Sequence, residues 1–190
     1  MYSVGTAVGN RFEPALAAAR AGADWAWAEL YREHAPAVLG YLRARRAPDP
    51  EDLLGEVFLQ LVRDLHRFEG DANGFRAWVF TVAHRRLLDS LRSARRRPQV
   101  DGGRELDELS GAVGDAEEEA LTTLRNQQIA EMLACLSPDQ QSVVLLRVIA
   151  DLTVEQVASV IGKKPGAVKA LQRRGLAALA REMSKEGVTL

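Results

Sequence analysis

The chain has 190 residues, 47% of them hydrophobic and only 6% aromatic, with 25 Lys and Arg set against 26 Asp and Glu for a formal net charge of −1. That length suits one medium domain or two small ones, and the pattern below divides it into two. No apolar run approaches the roughly 20 residues that span a bilayer, and the opening MYSVGTAVGNRFEP lacks the apolar centre of a signal peptide, so a cytoplasmic protein without membrane insertion is expected.

Alternating strand patterns are hard to find, and abundant Ala, Leu, Arg and Glu point to an all-α fold. Residues up to about Phe12 are expected to fray, and Pro14 to Ala21 to form a short helix ended by Gly22. Asp24 is expected to cap a longer helix with Trp27, Leu30, Tyr31, Val38, Leu39 and Leu42 on one stripe and a kink or break at Pro36. Asp49 and Pro50, cap and first-turn proline, open a third helix whose apolar face carries Leu53, Val57, Leu61 and Leu65. Its other face is acidic and polar. The glycines of Phe68 to Gly74 mark a loop, and Phe75 to about Arg96 is predicted as a long helix, apolar nearly all round in FRAWVFTVA and basic thereafter. Trp78 is assigned to the core.

From Pro98 to about Glu117 the chain is acidic and Gly-containing with no sustained period, which predicts a flexible linker. Ala120 to Leu136 follows as a helix that includes Cys135, and the lone cysteine is expected in the core, since it has no disulfide or metal partner. Ser137-Pro138-Asp139-Gln140 then reads as a capping box with a first-turn proline. In Thr153 to Arg174 a second capping box, Thr153 with Gln156, starts a helix carrying Val154, Val157, Ala158 and Ile161. Gly162 suits a left-handed turn, and Pro165 opens a helix whose Val168 and Leu171 pack back. This is the pattern of a helix-turn-helix, with Lys169, Gln172, Arg173 and Arg174 directed outward, able to reach phosphates and purine edges in a major groove.

The near-neutral total hides blocks of opposite sign. Arg85, Arg86, Arg92, Arg95, Arg96 and Arg97 meet a single acid, Asp89, while Lys163, Lys164, Lys169, Arg173 and Arg174 form a second basic cluster. Between them lies an acid tract that includes Glu117, Glu118 and Glu119, suggesting two phosphate-binding surfaces and a connector that limits DNA binding by the free protein.

Three segments in order, DPEDLLGEVFLQLVRDLHRF, FRAWVFTVAHRRLLDSLRSARRRP and LSPDQQSVVLLRVIADLTVEQVASVIGKKPGAVKALQRR, resemble those of an extracytoplasmic-function sigma factor, a small bacterial initiation factor. The resemblance implies a region 2-like domain at 13–97, an acidic linker at 98–119 and a region 4-like helix-turn-helix domain at 120–184. It also implies binding to core RNA polymerase, at the clamp helices of the largest subunit and the flap region, with Asp52, Leu53, Glu56, Val57 and Gln60 docking on the clamp; Leu53 and Val57 serve equally well as core residues. Lys169, Gln172 and Arg173 then approach minus-thirty-five duplex DNA, with Lys163 and Lys164 on its backbone. Asn73, His84 and Arg85 meet unpaired minus-ten bases, with Arg92, Arg95 and Arg96 on phosphates. The partners implied are promoter DNA, core polymerase and an anti-sigma factor, with no cofactor and no catalysis. Three departures stand out: Gly55 where the family usually has Gln, Arg85 where Asn is common, and Ala170 and Leu171 in place of Ser and Arg. A glycine inside a helix costs about 1 kcal/mol relative to alanine.

Two other classes compete. A stand-alone helix-turn-helix regulator would use its front half to sense a ligand or dimerise, and would have no need of the arginine run. An enzyme is disfavoured because His34, His66 and His84 are scattered without ligand-like spacing or a paired nucleophile.

Overall fold

The computed structural model describes residues 9–96 and 131–185, and every regular element among them is helical. Helix α1 (Gly9–Arg20) starts ahead of Pro14, and Phe12, expected to fray, is buried against Phe75 with ring centroids 5.4 Å apart. The apolar burial of Phe12, Leu16 and Ala19 on α2 (Asp24–Ala44) outweighs the weak local signal. α2 runs through Pro36 without a break: the proline is exposed, so water can satisfy the one carbonyl that loses its partner. Asp24 lies in the first turn, after an Ala23 cap, where its charge still opposes the helix dipole favourably.

Helix α3 (Pro50–Asp64) begins at the expected proline and turns Leu53, Leu54, Val57, Phe58 and Leu61 inward. A single 3-10 turn (Leu65–Arg67) leads to α4 (Ala72–Arg96). The start of α4 precedes Phe75 because Asp71 acts as a cap, its Oδ1 accepting the Gly74 N–H at 2.7 Å. Asn73 therefore belongs to the first helical turn. Phe75 is fully buried, with Phe12, His34, Phe68 and Trp78 ringed around it at centroid distances of 5.3–5.6 Å. Trp78 packs half-buried on this core, stacked on Phe68 at 5.2 Å.

In the back half, α5 (Pro138–Val148), α6 (Val154–Ile161) and α7 (Pro165–Lys185) form the helix-turn-helix and its support. Both capping boxes are present: Ser137 with Gln140, and Thr153 with Gln156. Gly162 ends α6 at φ 67°, a left-handed conformation in which a Cβ is strained. Gly175 lets α7 lie close on α5, since a Cβ there would sit 3.1 Å from Val144 Cγ2. Cys135, expected in the core, is exposed. Helical residues end at 133, so the period breaks, Leu133 and Leu136 take the buried places, and the thiol instead donates to the Met132 carbonyl. The connector at 98–119, Arg97 and the helix expected from Ala120 lie outside the described residues, apart from the end of that helix at 131–136.

The two halves do not stand apart. α4 packs on α6 and α2 on α5, and buried residues of both belong to one core. Across this contact Arg45 donates from its Nη1 to the Pro138 carbonyl (3.0 Å) and to Gln141 Oε1 (2.8 Å), and Gln156 Nε2 donates to the Asn73 carbonyl (3.1 Å). Arg45 is only 7% exposed, a charge withdrawn from water and held by neutral acceptors.

Candidate nucleic-acid and polymerase interfaces

On α7 the buried Val168 and half-buried Leu171 fix the helix against its neighbours, which turns Lys164, Lys169, Arg173 and Arg174 to solvent. Gln172 is half-buried beside them. Lys163, at the mouth of the turn, pairs with Asp139 of α5 at 2.9 Å, so part of its charge is already answered within the chain. This row of cations at helical spacing can neutralise phosphates, and the Arg and Gln in it can offer paired donors or a donor with an acceptor to base edges.

A second cationic surface runs along α4. Arg85, Arg92, Arg95 and Arg96 are exposed, and Arg92 bonds Asp89 at 3.0 Å one turn earlier. With 25 residues the helix is about 37 Å long, enough to follow several phosphates of a single strand. Asn73 is exposed at its start, its backbone carbonyl engaged by Gln156.

His84, expected to meet unpaired bases, is buried instead. It is 6% exposed, and its Nδ1 lies 2.8 Å from the Tyr41 hydroxyl beneath the contact between the two halves. Burial first, then the neighbouring Arg45, push its pKa down to about 4, with Asp139 pulling weakly the other way. The ring is therefore neutral at pH 7 and cannot reach a base in this arrangement. Tyr41 is held as a phenol up to about pH 12, mainly by burial. His34, buried beside Phe75, is likewise pushed down to about 4 by burial and by Arg76.

On α3, Asp52 and Glu56 are exposed as expected, while Leu53 is 6% and Val57 0% exposed, which places both in the core of the bundle. Their own stripe faces α2 and α4. Glu56 Oε2 and Gln60 Oε1 are held by Arg86 of α4, at 3.2 and 2.9 Å, so α4 fixes the orientation of both side chains. The apolar residues that α3 does present are Leu59, 63% exposed, and Val62, 48% exposed. Neither was anticipated, although at 100° per residue Leu59 falls between Asp52 and Val62 on the outward arc, and that angle was readable from spacing alone. Beside them a shallow groove is lined by Trp27, Tyr31, Phe58 and Val62.

Among the described residues no cluster of three or more His, Cys, Asp or Glu is placed to hold a metal ion, and no helix is long and apolar enough to cross a membrane.

Residues 30–97 match the family model Sigma-70 region 2, and residues 126–179 match Sigma-70, region 4. The chain is 32% identical over 154 residues to the ECF RNA polymerase sigma factor ShbA of Streptomyces griseus, a match covering 76% of this chain and 80% of that protein. It is 34% identical over 165 residues to the ECF RNA polymerase sigma factor BldN of Streptomyces coelicolor, covering 86% of this chain but spanning 62% of BldN's length. Among solved structures, CnrH in complex with the cytosolic domain of CnrY shares the fold, with TM-score 0.67 at 20% identity over 90% of this chain and 96% of that one.

Proposed function

This chain belongs to the extracytoplasmic-function (ECF) RNA polymerase sigma factors, and on that premise we propose how its surfaces divide the work. The exposed face of α3 binds core polymerase, α7 reads minus-thirty-five duplex DNA, and α4 holds the opened minus-ten strand. The protein acts in the cytoplasm with no catalysis of its own, its two units being 13–97 and 120–184 joined through 98–119. An anti-sigma factor is its expected antagonist, recognisable as a chain that co-purifies with it and is displaced by core polymerase. The observation that carries this reading is the pair of exposed cationic rows on α4 and α7, set on one body beside an acidic-apolar helix face.

Run-off transcription with purified core polymerase on a promoter library tests it. Selective initiation that depends on the protein supports the sigma reading; site-specific duplex binding without stimulated initiation would favour a stand-alone regulator. Within the same assay, Arg173→Ala should cost about 1–3 kcal/mol at promoters carrying its preferred base, up to about a hundredfold. Lys164→Ala should weaken all promoters alike and flatten the salt dependence by about one counterion.

The packed halves bear on how the protein works. The two promoter elements lie about 25 base pairs apart, about 85 Å at 3.4 Å per step. A packed chain of this length has a radius of gyration of about 16 Å. One closed body cannot touch both, so promoter engagement requires α6 to leave α4 and α5 to leave α2. Arg45→Glu places a carboxylate against the Pro138 carbonyl, Gln141 Oε1 and nearby Asp139, where a cation now donates. Small-angle scattering of the free protein should then report a radius of gyration larger by several ångströms, while α1 to α4 keep their helicity. An unchanged radius would remove Arg45 as the latch.

A further inference from the structure

Gly55 stands in the middle of α3, is exposed, and a Cβ built on it would meet no atom within 4 Å. Its backbone is ordinary helix, so neither conformation nor internal packing requires glycine there, although glycine weakens the helix relative to alanine. What does use it is the outward seam. Asp52, Gly55, Leu59 and Val62 follow one another at steps of three, four and three residues, the spacing at which a helix presents one edge to a second helix lying along it. The opposite edge of α3 carries the core residues Leu54, Val57, Phe58 and Leu61, which the fold covers, while the outward edge leaves Leu59 and Val62 exposed beyond Asp52 and Gly55.

We propose that Gly55 is the crossing point of a polymerase helix, which lies along the Asp52, Gly55, Leu59 and Val62 seam and seats a bulky side chain in the hole that the missing Cβ leaves. This rests on the reading of α3 as the polymerase-binding helix, and adds a register and a residue that sets partner choice. Side chains at the contact determine how closely two helix axes approach, and a glycine permits an approach nearer than the usual 8–10 Å. The charges give the occupant a direction. Asp52 opens the seam and Arg63 borders its second half, while Glu56 beside them is already paired with Arg86, so the polymerase helix should carry a cation beside Asp52 and an acid beside Arg63. Leu59 and Val62, with the groove of Trp27, Tyr31 and Phe58 next to them, supply the apolar area.

The test uses the full chain, labelled for fluorescence anisotropy against purified bacterial core RNA polymerase, with a thermal midpoint for each variant. Gly55→Ala should raise the midpoint, because the helix gains a better former in open space, yet weaken core binding about threefold or more. Gly55→Leu should fill the hole and weaken binding about thirtyfold. A purely structural role cannot give these opposite signs. If both variants bind core within twofold of the parent while Leu59→Asp does not bind, the crossing point is refuted and the α3 reading stands. If Leu59→Asp also binds normally, the α3 reading itself fails. Tighter binding by Gly55→Leu, or a changed oligomeric state with core binding intact, overturns the proposal in favour of a different contact or of a second copy of this chain.

Discussion

Leu59→Asp is expected to weaken association with core polymerase about a hundredfold or more, about 2.7 kcal/mol, while lowering the thermal midpoint of the free protein by only about 2 °C. The side chain is 63% exposed and makes no part of the buried core, so the free fold loses only the difference in helix propensity between leucine and aspartate, about 0.5 kcal/mol. A complex that removes water from this face of α3 would register a far larger change, because a carboxylate driven into a dry apolar contact loses its hydration without a partner. The contrast is Val57→Asp, at a position with no exposure, which should abolish folding and binding together. Surface plasmon resonance with immobilised core and a melting curve separate the two. Parent-like affinity for Leu59→Asp would mean that α3 does not meet the polymerase through its outward seam.

Phe75→Ala should cost about 3–5 kcal/mol of stability, because its ring lies at the junction of α1, α2 and α4 and cannot be replaced by collapse of its neighbours. Proteins of this size have total stabilities of about 5–15 kcal/mol, so such a loss leaves little reserve and should lower the melting temperature by about 10 °C or more. The competing role, a platform on which an unpaired base stacks, makes the opposite forecast: an unchanged melting curve and a specific failure to open promoters. Phe75 has no exposed surface and packs against Phe12, Phe68 and Trp78, which leaves no face for a base. A Phe75→Ala protein that melts like the parent would overturn this placement.

The helix-turn-helix was legible almost residue by residue. Its signals are local and independent of partners: two capping boxes, a glycine that must turn left-handed at 162, a first-turn proline at 165, and Val168 and Leu171 at helical spacing. The start of α4 was misjudged by one turn because Asp71, a short polar side chain among glycines, serves a loop and a cap equally well until its bond to Gly74 is seen. Phe12 was misjudged for the opposite reason. Its local sequence is weak, and its order comes from Phe75, 63 positions further on, through a ring contact that no local pattern records.

Amino-acid order by itself determined the all-helical class, the caps and turns, and the outward cations of α7, because each depends on backbone geometry and periodicity within a few residues. Tertiary structure alone decided that His84 faces inward, that Glu56 and Gln60 are held by Arg86, and that the halves close on one another. The physical reason is that those outcomes turn on what lies across a contact. A polar residue such as Arg45, His84 or Gln156 has the same local signature whether water or a carbonyl from a distant helix completes its hydrogen bonds, and only the packed chain supplies the second partner.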